Sequence, residues 1–525
     1  MTKRIAIVGT GPMGIYSLQQ IVQTESPLEI TLFEKGSRAG IGMPYSPDNA
    51  NKAMLANIAS IEIPPVMTTY LHWLKAQPQD KLAGYGLDTK GLHDRQFTPR
   101  LLLGEYFRDQ LMSLVAAARQ RGHLIHIHED TQVDDIVAQP DGLTVTTEHG
   151  TDDLFDKVIL ATGHQFPDDD EASRSYFPSP WSGLIEAAIP ATRVGIMGTS
   201  LSSIDAAMAV ANQHGHFRHD DEDLQFELQN KDLRITLMSR TGILPEADFY
   251  CPLPYQPLAI LTEESLAACA ASDAPLDNLF DLVREEIRRA DPAYALRIGL
   301  GGLDADSFAD AYFAEREAAD PFKWARSNLT EVERNKDARI TVPWRYALLR
   351  MHERVEDIVH DLSDSDRDRF DTGMKKVFVD NYAAVPSESI RRILALRDAG
   401  VLSIKALGQD YDMSREADQT QIKTAQGTEV YQVFIDARGQ KPLASQDIPF
   451  PSLRKALLAS GHEFPDVAED YSLIDTEGYS GRIAFGSIPY LMHDRPFVQG
   501  ITACAEIATA IGRGINTGRK RRRVS

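Results

Sequence analysis

Cysteine is scarce in this chain, which has only three among its 525 residues: Cys251, Cys269 and Cys504. No two of them form a CxxC or CxxxxC pair, so the sequence argues against the redox-active disulfide of a disulfide reductase. So few cysteines are typical of a protein in a reducing compartment. We therefore expect a cytoplasmic location, with each cysteine acting as a small buried hydrophobic residue.

The sequence also has fewer positive than negative charges, and it has no long apolar run. Lysine and arginine number 55 against 76 acidic residues, and the net charge of −21 argues against a nucleic-acid partner. No stretch approaches the ~20 apolar residues that a membrane-spanning helix needs. Residues 519–523 are the exception, since all five are basic. They could form an interaction tail or a solvated chain end, and we favour the solvated end.

Motifs for several kinds of side-chain chemistry are absent as well. The sequence has no HExxH motif, no nucleophile elbow and no Cys/His cluster. We therefore expect no metal site, and we assign no catalytic residue. A protein whose bound cofactor carries the chemistry requires none of these motifs.

The first 35 residues hold the strongest motif in the chain. An apolar run from Ile5 to Val8 predicts a buried parallel strand, and Gly9-x-Gly11-x-x-Gly14 follows it directly. These glycines permit a tight turn, a close approach to a pyrophosphate and a close helix–strand contact. Glu34 ends a second apolar run 20 residues later, where a carboxylate can bind ribose hydroxyls. The motif predicts a dinucleotide site and leaves open whether FAD or NAD(P) binds there.

The same theme returns after residue 190 in a weaker form. Gly198-x-Ser200-x-x-Ser203 follows an apolar strand pattern, and the next strand ends in Ser239-Arg240. An acid suits a free ribose 2′-hydroxyl, whereas an arginine suits a 2′-phosphate. The first motif therefore favours FAD and the second NADPH, with a surface cation as the alternative for Arg240.

Three further segments predict parts of these sites. Ala161-Thr162-Gly163 and Gly486-Ser487 each end an apolar run, and Gln499-Gly500 precedes a helix pattern that suits the flavin end of FAD. Asn57 and Ser60 could bind the flavin ring or cap local backbone, and the residues alone leave this open. Residues 433–440 predict the return strand of the second unit.

Between residues 248 and 408 the pattern becomes helical. Amphipathic helices are predicted over residues 263–271, 276–290, 306–319, 345–362 and 386–397, and residues around 214–223 are predicted to be a surface loop. Trp324, Trp344 and Tyr346 with Arg345 and Arg350 could shape a substrate pocket. We favour the alternative that they are core residues and solvated charges.

Most of the chain resembles the YdhS-like group of bacterial FAD/NAD(P)-binding oxidoreductases. The resemblance is carried by the glycine motifs together with residues 40–45, 54–58, 97–100 and 435–439. More distantly, the chain resembles flavin-dependent N-hydroxylating and Baeyer–Villiger monooxygenases. The resemblance implies that Arg100, near the start of a helix, and residues 486–501 complete the FAD site. The chain departs from the common flavoprotein pattern at Gly486-Ser487, where a Gly-Asp pair is usual.

We thus predict an α/β protein with two Rossmann-like dinucleotide-binding domains, for FAD and NAD(P), and an all-helical insert. The predicted domains are residues 1–190 with 441–525 for FAD, 191–250 with 400–440 for NAD(P), and 251–399 for the insert. The candidate cofactor-binding residues are Gly9, Gly11, Pro12, Met13, Gly14, Glu34, Lys35, Gly42, Asn57, Arg100, Thr162, Gly163, Gly198, Ser200, Arg240, Gly486, Gln499 and Gly500.

The predicted function is that of an FAD-dependent, NAD(P)H-using oxidoreductase, monooxygenase-like, acting on a small molecule. A monooxygenase must shield its activated flavin from water, and a helical lid could do so. Two alternatives stay open: a flavin oxidase or dehydrogenase that ignores NAD(P)H, and a non-catalytic flavin-binding redox sensor. The sequence does not decide between a monomer and a homo-oligomer.

Overall fold

The computed structural model describes residues 2–150, 152–165, 173, 175–220, 223–416, 418–439 and 441–517. The basic residues 519–523 lie outside this range. The chain forms two compact units. The first combines Met1–Gln165 with Gln440–Ser525, and the second is Phe166–Gly439.

Strands and helices alternate at both ends of the chain, and helices dominate its middle. The strands are β1 (Lys3–Val8), β2 (Leu28–Phe33), β3 (Leu124–His128), β4 (Val133–Gln139), β5 (Gly142–Thr147), β6 (Asp152–Phe155), β7 (Lys157–Leu160), β8 (Tyr176–Phe177), β9 (Arg193–Met197), β10 (Gly215–Asp220), β11 (Asp223–Leu228), β12 (Arg234–Ser239), β13 (Leu402–Ala406), β14 (Tyr411–Glu416), β15 (Gln419–Thr424), β16 (Gly427–Tyr431), β17 (Val433–Asp436) and β18 (Ile483–Phe485). The α-helices are α1 (Pro12–Ile21), α2 (Tyr70–Lys75), α3 (Gln79–Ala83), α4 (Arg100–Gln120), α5 (Leu201–Ala211), α6 (Glu263–Ala270), α7 (Pro275–Ala290), α8 (Pro292–Arg297), α9 (Phe308–Ala318), α10 (Pro321–Ala338), α11 (Pro343–Val359), α12 (Asp364–Thr372), α13 (Met374–Tyr382), α14 (Ser387–Asp398), α15 (Pro451–Ser460) and α16 (Gly500–Thr517).

The first unit is built on a five-stranded parallel sheet in the order β18-β7-β1-β2-β3. Its central strand β1 is buried from Ile5 to Val8, which explains the apolar run in the sequence. Helices α1 and α16 pack against each other, and a side chain at Gly512 would meet Gln20 at 2.5 Å. The strand order reverses between β1 and β7, the switch point at which open α/β sheets bind their ligands. A separate antiparallel sheet, β4-β5-β6, belongs to the same unit.

The second unit repeats this plan with the sheet order β13-β12-β9-β17-β8, again with parallel pairs. Strand β9 takes the place of β1, and β17 is the predicted return strand beside it. An antiparallel sheet, β14-β15-β16, accompanies it. The helices from α6 to α14 follow β12 and form the helical layer of this unit.

The predicted surface loop around residues 214–223 is wrong. Strands β10 and β11 pair as a hairpin there, with the rings of Phe217 and Phe226 4.9 Å apart across it. His214 is buried, and its ring bonds to the Ile189 carbonyl at 2.9 Å and the Asn230 amide at 2.8 Å. The two facing aromatic rings stabilise the hairpin. The many charged residues around them hid this strand pattern in the sequence.

The predicted fold class is confirmed: two parallel nucleotide-binding sheets and a helical middle region. The helices predicted for the middle region are present, and α8, α10, α12 and α13 are additional ones there. The proposed division into three domains stays a prediction. All three cysteines are buried, as expected. Among the described residues no helix is long and apolar enough to span a membrane.

Candidate dinucleotide sites

The first glycine turn joins β1 to α1 and tolerates no side chain at two of its glycines. Gly9 has a φ of +97°, and a Cβ there would lie 2.5 Å from the Ala161 carbonyl oxygen. A Cβ on Gly14 would lie 2.2 Å from the Gly9 carbonyl oxygen. The two glycines therefore permit the close contact of β1, β7 and α1 that the motif predicts.

The N-terminus of α1 is suited to bind an anion. Pro12 is its first residue, Gly11 precedes it, and its first turn has neither a side-chain cap nor an acidic residue. A Cβ on Gly11 would lie 3.4 Å from the Cα of Gly42, which brings the loop after β2 beside the turn. Because no side chain in the described part of the chain caps these N–H groups, they and the helix dipole can receive a pyrophosphate.

Glu34 follows β2 at the same edge of the sheet, and Thr10 holds it in place. One carboxylate oxygen accepts the backbone N–H of Thr10 at 3.2 Å and its hydroxyl, and the other accepts the N–H of Gly36 at 2.9 Å. A carboxylate can accept about four hydrogen bonds, so capacity remains for a ribose hydroxyl. Our sequence reasoning missed Thr10, although a hydroxyl between the first two glycines is a usable signal.

Asn57 and Ser60 carry buried acceptors that nothing in the described part of the chain satisfies. The amide Oδ1 of Asn57 and the hydroxyl of Ser60 make no hydrogen bond there. This observation favours the ligand alternative over local capping, because buried polar atoms in folded proteins normally have a partner. Arg100 begins α4 as predicted, and its Nε donates to the Leu55 carbonyl at 3.1 Å.

The ends of β7 and β18 lie together through a pair of hydroxyls. Ser487 is fully buried, and its hydroxyl donates to the Thr162 carbonyl at 2.6 Å and accepts from the Thr162 hydroxyl at 3.1 Å. A Cβ on Gly486 would lie 2.8 Å from the Met13 methyl carbon. Ser487 thus connects two strand ends.

The remaining candidates of the first unit line its open edge. Gly163 and Gly500 are exposed, and a side chain on either would meet nothing within 4 Å. Gln499 and Lys35 are exposed, and α16 begins at Gly500, one residue before the predicted helix pattern. These positions leave room for a ligand at the carboxyl edge of the sheet.

The second glycine turn joins β9 to α5. Gly198 has a φ of +124°, and Ser200 precedes α5 without forming a side-chain cap. The first turn of α5 has no acidic residue, so its N–H groups are also suited to phosphate. The hydroxyl of Ser203 lies 2.3 Å from where a Cβ of Gly198 would be, so this serine occupies the space that a third glycine would leave.

Arg240 is exposed directly after β12, at the same edge as this turn. No hydrogen bond or ion pair of its guanidinium occurs in the part of the chain that the structure describes. The preceding Ser239 accepts hydrogen bonds from the Thr199 hydroxyl at 3.2 Å and from the backbone N–H of Gly242 at 3.0 Å. The guanidinium is therefore available to a 2′-phosphate.

The aromatic and arginine cluster of the helical layer is not simply core and solvated charge. Arg345 is buried in an ion pair with Glu246, so the expectation of a solvated cation is wrong for it. Trp324, Trp344 and Arg345 line a cavity of about 150 Å³. Tyr346 and Arg350 instead stack on each other, with the guanidinium 4.3 Å from the ring centre.

Comparisons with known proteins agree with this architecture. Residues 6–165 match the family described as FAD-NAD(P)-binding, and residues 262–382 match the YdhS-like middle domain. The chain is 54% identical over 531 residues to the uncharacterized protein YdhS of Escherichia coli (strain K12), which covers 100% of this chain and 99% of that protein. The match of residues 6–165 confirms the predicted cofactors, FAD and NAD(P).

Two solved structures share the fold over the whole chain. The ornithine hydroxylase PvdA from Pseudomonas aeruginosa has 13% identity and a TM-score of 0.54, over 98% of this chain and 99% of its own. The L-lysine 6-monooxygenase from Pseudomonas syringae has 13% identity and a TM-score of 0.52, over 99% and 100%. At these identities the likeness establishes the fold alone.

Proposed function

Because the chain belongs to the YdhS family and carries an FAD-NAD(P)-binding domain, we propose that this FAD-dependent oxidoreductase takes its electrons from NADPH and acts as a monooxygenase on a small molecule. The observation that carries the proposal is a difference between two similar sheets: an acid stands in the first at the position where the second has an arginine. Glu34 follows β2 in the first sheet, and Arg240 follows β12 in the second.

The first sheet suits FAD because the helix N-terminus at its glycine turn and the carboxylate of Glu34 fit a nucleotide with free ribose hydroxyls. The uncapped N-terminus of α1 faces the pyrophosphate position, and Glu34 accepts ribose hydroxyls. A 2′-phosphate would be repelled by Glu34. The buried oxygens of Asn57 and Ser60 supply acceptors for a ring that has N–H groups.

The second sheet suits NADPH for the opposite reason. Arg240 offers a planar fork of N–H donors to a 2′-phosphate, and no acidic residue occupies the first turn of α5. Ser239, directly before Arg240, accepts hydrogen bonds from the Thr199 hydroxyl and from the backbone N–H of Gly242, which lies two residues after Arg240. Ser200 and Ser203 leave the phosphate turn less open than three glycines would.

FAD, when bound, supplies hydride acceptance from a nicotinamide and the activation of oxygen. The chain would bind and orient it: α1 would hold the pyrophosphate, Glu34 the ribose, and Asn57 the ring. No acid–base or nucleophilic side chain is needed for that part of the reaction. Monooxygenase chemistry is proposed because PvdA and the lysine monooxygenase, which share the fold, are hydroxylating enzymes by name.

A second candidate is an oxidase or dehydrogenase that ignores NAD(P)H. The observation in its favour is Ser203, whose hydroxyl fills the space beside Gly198. The reaction of the reduced protein with oxygen distinguishes a monooxygenase from an oxidase.

The test admits air to protein that has been reduced anaerobically, while flavin absorbance and hydrogen peroxide are both recorded. A monooxygenase predicts a delay before the oxidised spectrum returns, with well under one peroxide per flavin formed during that delay. Immediate re-oxidation with one peroxide per flavin would contradict the monooxygenase assignment. It would leave FAD binding itself in place.

A further inference from the structure

Residues 240–248 run from the end of β12 into the helical layer, and we call them the linking segment. At its start the segment is fixed to the nucleotide-binding sheet. Ser239 accepts from Thr199 and from the N–H of Gly242, and the Arg240 carbonyl accepts from the N–H of Gly408 at 3.0 Å. Arg240 is therefore the first residue of the linking segment, at the end that is fixed to the sheet.

The far end of the linking segment is fixed by three helices and a neighbouring loop. Arg316 on α9 donates to the Leu244 carbonyl at 2.6 Å, and Asn328 on α10 accepts from the N–H of Ala247 at 2.8 Å. Val385 exchanges backbone hydrogen bonds with Glu246 and Asp248, at 2.9 and 2.7 Å. Nearly every residue of this end is thus bonded to the helical layer.

Glu246 is the charged centre of that attachment, and only 5% of it is exposed. Its carboxylate accepts from the Trp324 indole at 2.9 Å and forms an ion pair with Arg345 on α11. Burial opposes its charge, but Arg345 and Arg316 outweigh burial and lower the pKa of Glu246 to about 2. The carboxylate is therefore ionised at neutral pH, and its removal would leave Arg345 as an uncompensated charge in this interior, which is strongly destabilising.

We propose that Glu246 is a positioning residue for nucleotide selection: its buried pair with Arg345 holds the linking segment, and with it Arg240, in the orientation that receives a 2′-phosphate. This inference rests on the proposed function. It assigns the helical layer a part in choosing NADPH over NADH. Glu246 itself touches no nucleotide.

The test compares the apparent Kd for NADPH and NADH in anaerobic flavin reduction. Glu246→Gln keeps the shape and the acceptor for Trp324 but leaves Arg345 without its countercharge. We expect the Kd for NADPH to rise about five- to tenfold, because small misplacements of a binding group are costly. The Kd for NADH and the limiting reduction rate should change less than about twofold.

Two further variants keep the inference falsifiable. Arg316→Lys keeps a positive charge beside Asp380 but loses the second guanidinium nitrogen, which donates to the Leu244 carbonyl. It should therefore also raise the Kd for NADPH. This variant tests the inference even if Glu246→Gln does not fold. Glu285→Gln, which removes a carboxylate paired with Arg288 on the surface of α7, is the control and should leave both Kd values unchanged.

An equal rise for both nucleotides, or no change in a folded variant, would overturn the positioning role. Arg240→Ala, measured in parallel, separates this failure from that of the proposed function. If Arg240→Ala leaves the Kd for NADPH unchanged, the nucleotide assignment itself is wrong. If Arg240→Ala raises it and Glu246→Gln does not, only the positioning role is wrong.

Discussion

At the scale of one residue, Asn57 tests whether its buried oxygen binds a ligand or caps local backbone. Because this oxygen has no partner among the described residues, Asn57→Leu should not lower the melting temperature of the FAD-free protein. It should weaken FAD about tenfold, the equivalent of one lost hydrogen bond of about 1.4 kcal/mol. Fluorescence titration of the FAD-free protein measures the affinity.

Asn51 offers the opposite control. Its oxygen accepts the N–H of Ala53 at 2.9 Å, so Asn51→Leu should lower stability and leave FAD affinity unchanged. The same loss of stability from both variants would mean that Asn57 is structural.

Gly11 tests the first glycine turn. Gly11→Asp adds negative charge where we propose that the pyrophosphate binds, while the nearest backbone atom, 3.4 Å from the new Cβ, leaves space for the fold to form. We expect purified protein that lacks flavin colour and keeps its helical circular dichroism. Gly91→Asp, at an open position of the same unit, should keep its FAD. Stoichiometric FAD in Gly11→Asp would contradict the site.

Arg240 tests the second nucleotide. Arg240→Ala should weaken NADPH by a factor of about ten or more and NADH by less than about two, since a charge-assisted pair contributes roughly 1.5–3 kcal/mol. Arg234→Ala, an exposed arginine of the same strand, should change neither. Equal weakening of both nucleotides by Arg240→Ala would show that Arg240 does not bind the 2′-phosphate.

At the scale of elements, the Glu246 cluster connects the helices α9, α10 and α11 to the linking segment, and it predicts a pH dependence. The unfolded chain protonates Glu246 near its usual pKa of 4.5, and the folded chain does so only near 2. The pair therefore stabilises the fold fully above about pH 4.5, and this stability is lost as the pH falls toward 2. The amount is on the order of 3 kcal/mol.

Scanning calorimetry between pH 7 and pH 3 measures this effect. The melting temperature of the wild type should fall more steeply below pH 5 than that of Glu246→Gln, which has no proton to gain at this site. Glu315→Gln, an exposed position on α9, should follow the wild type. Parallel curves for wild type and Glu246→Gln would contradict the assigned ionisation.

An element could be predicted when its sequence signal lies within a few neighbouring residues. Strand β1, its glycine turn and α1 were predictable because apolar runs and glycine spacing are read within a few residues. The hairpin at Phe217 and Phe226 was not, because charged residues alternate with the aromatic ones. The burial of Arg345 was not either, since its partner Glu246 lies 99 residues away in sequence.

At the scale of the whole molecule, the two sheets share one strand plan, and this was predictable from the repeated motif. The prediction of an acid in the first unit and an arginine in the second rests on single residues, Glu34 and Arg240. What the sequence could not provide is the network around Arg240, in which Ser239 accepts hydrogen bonds from Thr199 and from Gly242 of the linking segment. Such contacts depend on side chains that only the folded chain brings together.

An anaerobic titration of the purified protein, first with NADPH and then with NADH, tests the central claim most directly. The account predicts a flavin absorbance spectrum that NADPH bleaches with one equivalent per FAD, and that NADH bleaches only at much higher concentration. A protein without flavin would contradict the first site. A flavin spectrum that neither nucleotide changes would contradict the NADPH-driven function and favour the oxidase or sensor alternatives.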